Sequence, residues 1–424
     1  MTRPSIYLDN AATTPVRPEV LEAMAPYLAG GVFGNPSSAH RFGREARAGV
    51  HEARRKVAAA VGAAPNEIVF TSGGTEADNL AVVGAPLAAR AAGRPFRVAV
   101  SAIEHKAVLA AAHWVEALGG EMITLPVDPC GRLDLSALDA ALGRGVALVS
   151  VMWVNNEVGL VQDVAAIAER CQAAGTPFHS DAVQALGKVP CTVPAGCTLL
   201  TLSGHKIGAP KGIGALVVRD QKCLHPLIHG GNQQSGIRPG TENVAGIAAL
   251  GRAAELAAGE VGGFGHTVGA LRDEFERRLL EVIPDAQVNG AGATRAPHVS
   301  NVSLPGTDSE AMLMHLDLAG IACSSGSACS TGSVEPSHVL TALGVPWDRA
   351  IAALRFSFGK QNAVTDVEYV ASQLPGIVAK VRQLAGVLGR WPAGRFWSRC
   401  PAGWTAPWPP RCWWRRATTS SAPP

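Results

Sequence analysis

The chain has 424 residues, 47% of them hydrophobic and 17% charged; that is enough apolar material for more than one core, and too little charge for a disordered chain. Its 37 basic and 34 acidic residues leave a formal charge of +3, too slight a bias to call for nucleic acid or an anionic membrane, so small substrates are expected. Nine cysteines without a CxxC pair argue against a disulfide framework and a metal site, and the lack of a signal-peptide pattern or membrane-length apolar run points to the cytoplasm.

From about residue 67 to 219, short β-branched runs alternate with Ala-rich amphipathic segments, the pattern of βαβ units and a mostly parallel sheet. Candidate strands are 68–71, 97–101, 147–154, 177–180, 199–203 and 214–219, with helices such as 49–61 and 164–174 over the faces. The glycines Gly259, Gly262, Gly263 and Gly265 interrupt the helical pattern and are read as the passage to a second, smaller domain ending near Arg382. Beyond Arg390 the composition changes to a Trp-, Arg- and Pro-rich tail without periodicity, expected to be disordered. Unselected sequence is the preferred reading of it over a partner-binding tail.

Polar residues gather just after the candidate strands, where open α/β sheets bind ligands. After 68–71 comes Ser72-Gly73-Gly74-Thr75-Glu76, a tight turn into a helix start whose free N–H groups suit a phosphate, although many such turns hold no ligand. After 199–203 comes Ser203-Gly204-His205-Lys206. A lysine there, wrapped in small residues, is desolvated and suited to Schiff-base chemistry rather than to a solvated face. Asp181 follows 177–180 and is either a helix cap or the carboxylate that pairs with a protonated pyridine nitrogen. In Cys323-Ser324-Ser325-Gly326-Ser327-Ala328-Cys329, Cys323 reads as a packed neighbour. Cys329 has no apolar face around it and reads as an accessible nucleophilic thiol.

Several segments, in order and spacing, resemble the NifS/IscS-type cysteine desulfurases, pyridoxal-phosphate enzymes of the class V aminotransferase group. They are Tyr7-Leu8-Asp9-Asn10-Ala11-Ala12-Thr13-Thr14-Pro15, Gly34-Asn35-Pro36-Ser37-Ser38, Val154-Asn155-Asn156-Glu157, Ser203-Gly204-His205-Lys206 and Ser325-Gly326-Ser327-Ala328-Cys329. The resemblance runs to about Arg382 and implies the α/β fold of fold-type-I PLP-dependent transferases. Its large domain, with a mostly parallel seven-stranded sheet, would take residues 16–262. A smaller α+β domain would take residues 1–15 and 263–384 and carry the Cys loop, leaving 385–424 as the tail.

The same resemblance makes Lys206 the Schiff-base lysine, Asp181 the partner of the pyridine nitrogen, and His105 the residue that stacks on the ring. Asn156 and Gln184 would contact the ring hydroxyl or steer intermediates, with Asn155 the weaker candidate of its pair. Gly74, Thr75, Ser203 and His205 would hold the phosphate, joined by Thr241 from the second subunit of a homodimer. Arg355 would grip the substrate carboxylate. Cys329 would take sulfur from L-cysteine as a persulfide, leaving L-alanine, and pass it to a sulfur-acceptor or iron–sulfur scaffold protein. Two departures stand out: Asn232-Gln233-Gln234 replaces the usual Gly-Gln-Glu, and the tail is unlike the family's carboxyl terminus. The rival readings are a selenocysteine lyase or aminotransferase of the same class, and a scaffold without catalysis.

Overall fold

A computed structural model of the chain describes residues 5–325 and 335–388. Its main sheet has seven strands in the order Ile68–Thr71, Gly214–Val218, Leu199–Ser203, Phe178–Asp181, Leu148–Ser150, Arg97–Ser101 and Glu121–Leu125. Gly214–Val218 pairs antiparallel with both its neighbours and the remaining pairs are parallel, so the other six strands share one direction. Ile68–Thr71, Leu199–Ser203 and Gly214–Val218 are buried along their whole length. Helices cover both faces, and for that reason these strands read in sequence as unbroken apolar runs rather than alternating ones.

The edge strand Glu121–Leu125 is half-exposed and begins on a charge, and it is absent from the expected set. Residues 147–154 form a shorter strand than expected, Leu148–Ser150. Past it the backbone still follows its neighbour, with Val151 N–H donating to the His179 carbonyl at 3.1 Å and Trp153 N–H to Asp181 at 2.9 Å.

A four-stranded antiparallel sheet, in the order Ser324–Ser325, Ala353–Ser357, Val299–Ser303 and Gln287–Val288, lies over a second core that includes Phe275, Phe356, Phe358 and Leu374. The amino-terminal strand Ile6–Tyr7 pairs in parallel with Ile321–Ala322. Its neighbour Leu8 belongs to the same core.

The glycine cluster does not break the chain. Gly259, Gly262, Gly263 and Gly265 lie inside one 39-residue helix, Val244–Val282. A glycine costs a helix only about 1 kcal/mol relative to Ala, and packing at both ends outweighs that. Ala253, Ala254 and Ala257 join the core of the seven-stranded sheet, whereas Phe264, Val268 and Phe275 join the second core. The two cores therefore meet along this helix between Ala257 and Phe264. Arg17 clasps Glu260 there at 2.6 and 2.9 Å, and Lys360 bonds the same carboxylate. Among the described residues no helix is long and apolar enough to cross a membrane.

Candidate active site

Because six strands share a direction, the segments leaving them converge on one edge of the sheet, around a cavity of about 290 Å³. Gly74 and Thr75 line it from the start of the helix Gly74–Ala91. That helix has Gly73 at its N-cap, which offers no side-chain acceptor to the first-turn N–H groups. A Cβ on Gly74 would stand 3.0 Å from Val183 Cγ2 and 3.5 Å from Ser203 Cβ, so glycine keeps this corner open. The Ser203 hydroxyl lines the cavity, buried and without a hydrogen-bond partner. An unspent hydroxyl beside a helix N-terminus fits a phosphate. His205, on the turn after Ser203, is pushed down to about 4 by burial and by the Lys206 charge, so it is neutral at pH 7.

Lys206 ends the short 3₁₀ turn Gly204–Lys206. Its amine donates to the carbonyls of Ala11 and Ala12 at 2.6 and 2.7 Å. Burial and the Arg355 charge lower its pKa to about 8, within reach of the free-amine form a Schiff base requires. Asp181, the last residue of its strand, accepts from Val183 N–H at 2.8 Å. Desolvation raises its pKa, opposed by His105, Lys206 and Lys188. A buried carboxylate short of counter-charge suits a cationic ring nitrogen in the cavity, which would keep it ionised. His105 caps the helix Lys106–Ala117, its Nδ1 accepting from Ala107 N–H at 3.1 Å. The remaining ring nitrogen stays unspent in that cap, and desolvation holds the imidazole below its ordinary pKa.

The Asn155–Asn156–Glu157 turn divides its roles. Asn155 is buried and structural: its amide donates to Ile103 O at 2.9 Å and its oxygen accepts from Glu157 and Val158 N–H at 2.9 and 3.0 Å. Asn156 lines the cavity, and its carbonyl accepts from Arg355 Nη1 at 3.0 Å. Arg355 comes from the middle of Ala353–Ser357, bonds Asp9 Oδ1 through Nη2 at 2.9 Å, and keeps a buried Nε without a partner. Gln184 also lines the cavity, but its amide is tied to Ala11 O at 2.8 Å and its oxygen to Lys188 Nζ at 3.1 Å.

One cavity thus gathers Gly74, Thr75, His105, Asn156, Asp181, Gln184, Ser203, His205, Lys206 and Arg355. Thr241 is exposed and does not line it. Cys329 lies outside the described residues. Cys323, partly buried against the second core, has its thiol pKa pushed up by desolvation. Gln234, at the departure from the usual loop, adopts φ 49°, and its side-chain oxygen accepts from Phe70 N–H at 3.1 Å and Arg54 Nη2 at 2.9 Å. Its contacts are structural.

Sequence reasoning passed over two buried acids and a third that is half-buried. Asp78 lines the cavity with Oδ1 unpartnered, and Glu104, whose Oε1 accepts from Met152 N–H at 2.6 Å, keeps Oε2 unpartnered. Desolvation, and after it mainly Asp181 for Asp78, pushes both pKa values well up. The third, Asp9, lies inside the motif Tyr7-Leu8-Asp9-Asn10 and pairs with Arg355. A signal was available for Asp78: it follows Gly74 by one helical turn and stands beside Ala77, on the inward stripe.

The family described as Aminotransferase class-V matches residues 6–370. The chain belongs to this family. Within it, the chain groups with cysteine desulfurases: it is 44% identical over 387 residues to "Cysteine desulfurase IscS" of Dictyoglomus turgidum, covering 91% of this chain and 98% of the relative. It is 47% identical over 384 residues to a cysteine desulfurase of Gluconacetobacter diazotrophicus, covering 90% and 95%. Among solved structures, a NifS-like protein superposes with a TM-score of 0.83 at 33% identity, covering 89% of this chain and all of that one. SspA in complex with cysteine superposes at 0.74 with 35% identity, covering 84% and 99%.

Proposed function

We propose that the chain is a pyridoxal-phosphate-dependent cysteine desulfurase that converts L-cysteine to L-alanine and carries the sulfur as a persulfide on Cys329. The observation that supports this most is the meeting, in one cavity, of a desolvated Lys206 amine with Asp181, His105 and Arg355. A relative solved in complex with cysteine accords with the substrate. Residues 16–262 are taken as the cofactor domain, with 1–15 and 263–384 as the smaller one.

When bound, pyridoxal phosphate supplies an aldehyde that joins amines and a ring that accepts electrons. Gly74, Thr75, Ser203 and His205 would hold its phosphate, and in a homodimer Thr241 of the partner subunit would complete the set. Asp181 would pair with its ring nitrogen, and His105, Asn156 and Gln184 would make the other contacts to the ring. Lys206 would be the amine that its aldehyde takes up. Once free, the Lys206 amine moves the proton at the substrate Cα, a role its pKa near 8 suits. Arg355 holds the substrate carboxylate. The Cys329 thiolate attacks the substrate sulfur, an S–S bond forms as the C–S bond breaks, and Lys206 or His105 supplies the proton that completes alanine. Atoms balance without an added oxidant, and the sulfane sulfur leaves to an acceptor protein such as an iron–sulfur scaffold.

Purified protein given L-cysteine and a reductant is expected to release sulfide and alanine in equal amounts. Cys329→Ser should keep the cofactor yet form neither product at an appreciable rate. Formation of pyruvate instead of alanine, or normal alanine release by Cys329→Ser, would overturn the reading.

A further inference from the structure

The amino-terminal segment is tied to both ends of the proposed chemistry. Two of its carbonyls hold the Lys206 amine, and one turn earlier Asp9 reaches Arg355 Nη2 at 2.9 Å. Asp9 itself is fixed in place from several sides. Ser357 N–H donates to Leu8 O at 2.6 Å, Asn10 N–H donates to Ser357 O at 3.2 Å, and Ala11 N–H donates to Ser357 Oγ at 2.8 Å. The Tyr7 hydroxyl adds a bond to the Asp9 carbonyl at 3.1 Å. The carboxylate is therefore borne on a backbone zipped to the strand that carries Arg355, only two residues from Ser357.

Arg355 divides its donors accordingly. Nη1 is spent on the Asn156 carbonyl and Nη2 on Asp9, whereas Nε is buried with no partner. A buried guanidinium N–H left unsatisfied is costly, and Arg355 lines the cavity from which a ligand could supply its acceptor. The guanidinium is planar and rigid, so anchors on Nη1 and Nη2 fix the direction of Nε.

We propose that Asp9 is a positioning residue for the substrate: with the Asn156 carbonyl it holds the Arg355 fork so that its free Nε–H meets the α-carboxylate of an incoming amino acid. This rests on the proposed function for the identity of the substrate, but the geometry requires only that the ligand carry an α-carboxylate. Without Asp9, the long Arg355 side chain regains rotamers that the carboxylate must then select against.

The test uses the holoenzyme of the parent, Asp9→Ala, Asp9→Asn, Arg355→Ala and the Asp9→Ala/Arg355→Ala pair. Affinity for L-alanine, which has the carboxylate but no sulfur, is read from the change in visible absorbance, alongside cysteine kinetics and the unfolding midpoint. Asp9→Ala should raise both the L-alanine Kd and the cysteine KM by about tenfold, as misorientation of a clamp does. It should change kcat much less. Asp9→Asn, which keeps an oxygen for Nη2, should recover part of the loss. In the Arg355→Ala background the second substitution should add nothing to Kd, because Asp9 acts through that arginine.

Unchanged Kd in a folded Asp9→Ala, a gain in affinity, or an independent addition in the double variant would overturn the proposal. A parent enzyme that binds L-alanine with this Asp9 dependence but releases no sulfide from cysteine would instead sink the desulfurase reading alone.

Discussion

Replacing Glu157 by Gln removes a charge that the fold buries at a cost, and that cost is confined to one pH window. Glu157 follows the Asn155–Asn156 turn, is 5% exposed, and accepts a hydrogen bond from the Ser337 hydroxyl. Burial raises its pKa from the ordinary 4.5 to about 7, against the opposing pull of Ser337, Arg355 and Lys106. At roughly 1.36 kcal/mol per pKa unit, the ionised form is disfavoured in the folded state by about 3 kcal/mol. The folded value lies above the unfolded one, so between pH 4.5 and 7 the native state binds more protons. Its contribution to stability is complete below about pH 4.5 and lost as pH rises through 7. Gln keeps an acceptor for Ser337 and does not ionise. Urea unfolding of parent and Glu157→Gln should therefore give similar stabilities near pH 4.5, and an advantage for the variant that grows to about 3 kcal/mol by pH 8. A difference that stays flat across this range would refute the burial argument, because only titration of Glu157 produces the slope. Subtracting the two curves removes the other titrating groups, Lys188 among them.

Asp181→Asn should weaken cofactor retention and lower turnover at least about a hundredfold, in the range for removal of one preorganised electrostatic group. Normal turnover in the loaded variant would contradict the ring-nitrogen role. Arg355→Ala should raise the cysteine concentration for half-maximal rate by the equivalent of about 2 to 5 kcal/mol while disturbing cofactor affinity far less, since a buried charge partner is lost on the substrate side. An unchanged KM would remove Arg355 from substrate binding.

Much of the fold is legible in the sequence, for a reason particular strands make plain. The runs 68–71, 97–101 and 199–203 match the strands Ile68–Thr71, Arg97–Ser101 and Leu199–Ser203 residue for residue. Each is an apolar stretch in a covered sheet, ended by a serine, a threonine or a glycine turn. Once the strands are parallel, the residues just after them must share an edge, which is why Gly74, His105, Asp181 and Lys206 meet. What failed depends on context that periodicity does not carry. Glu121–Leu125 is an edge strand with a half-exposed pattern. The glycines at 259–265 looked like a break because their propensity is poor, yet the helix is held by cores at both ends. Asp9, Asp78 and Glu104 were missed because acidic side chains read by default as solvated, and only tertiary packing shows them buried or paired.

That burial has a chemical logic. Asp78, Asp181 and Glu104 are each no more than 4% exposed and each has its pKa pushed upward by desolvation. The nearby amines are pushed the other way, Lys206 to about 8 and Lys188 to about 7. Buried acids and amines driven toward their neutral forms are poor stabilisers of a fold, but the Lys206 amine, which shares its cavity with Asp78 and Asp181, can exchange its proton at small cost near neutral pH. Arg355 is the exception, since a guanidinium stays charged under these conditions, and among the described cations of the cavity it is the one with a close carboxylate partner, Asp9 at 2.9 Å. The division follows the work proposed for each group. Lys206 and His105 are proposed to gain and lose protons, and among the described residues neither has a tight counter-ion. Arg355 is proposed only to hold a carboxylate, and its charge is kept and its direction set by Asp9 and the Asn156 carbonyl. A substitution that hands Lys206 a permanent partner should therefore cost more activity than one that loosens its packing.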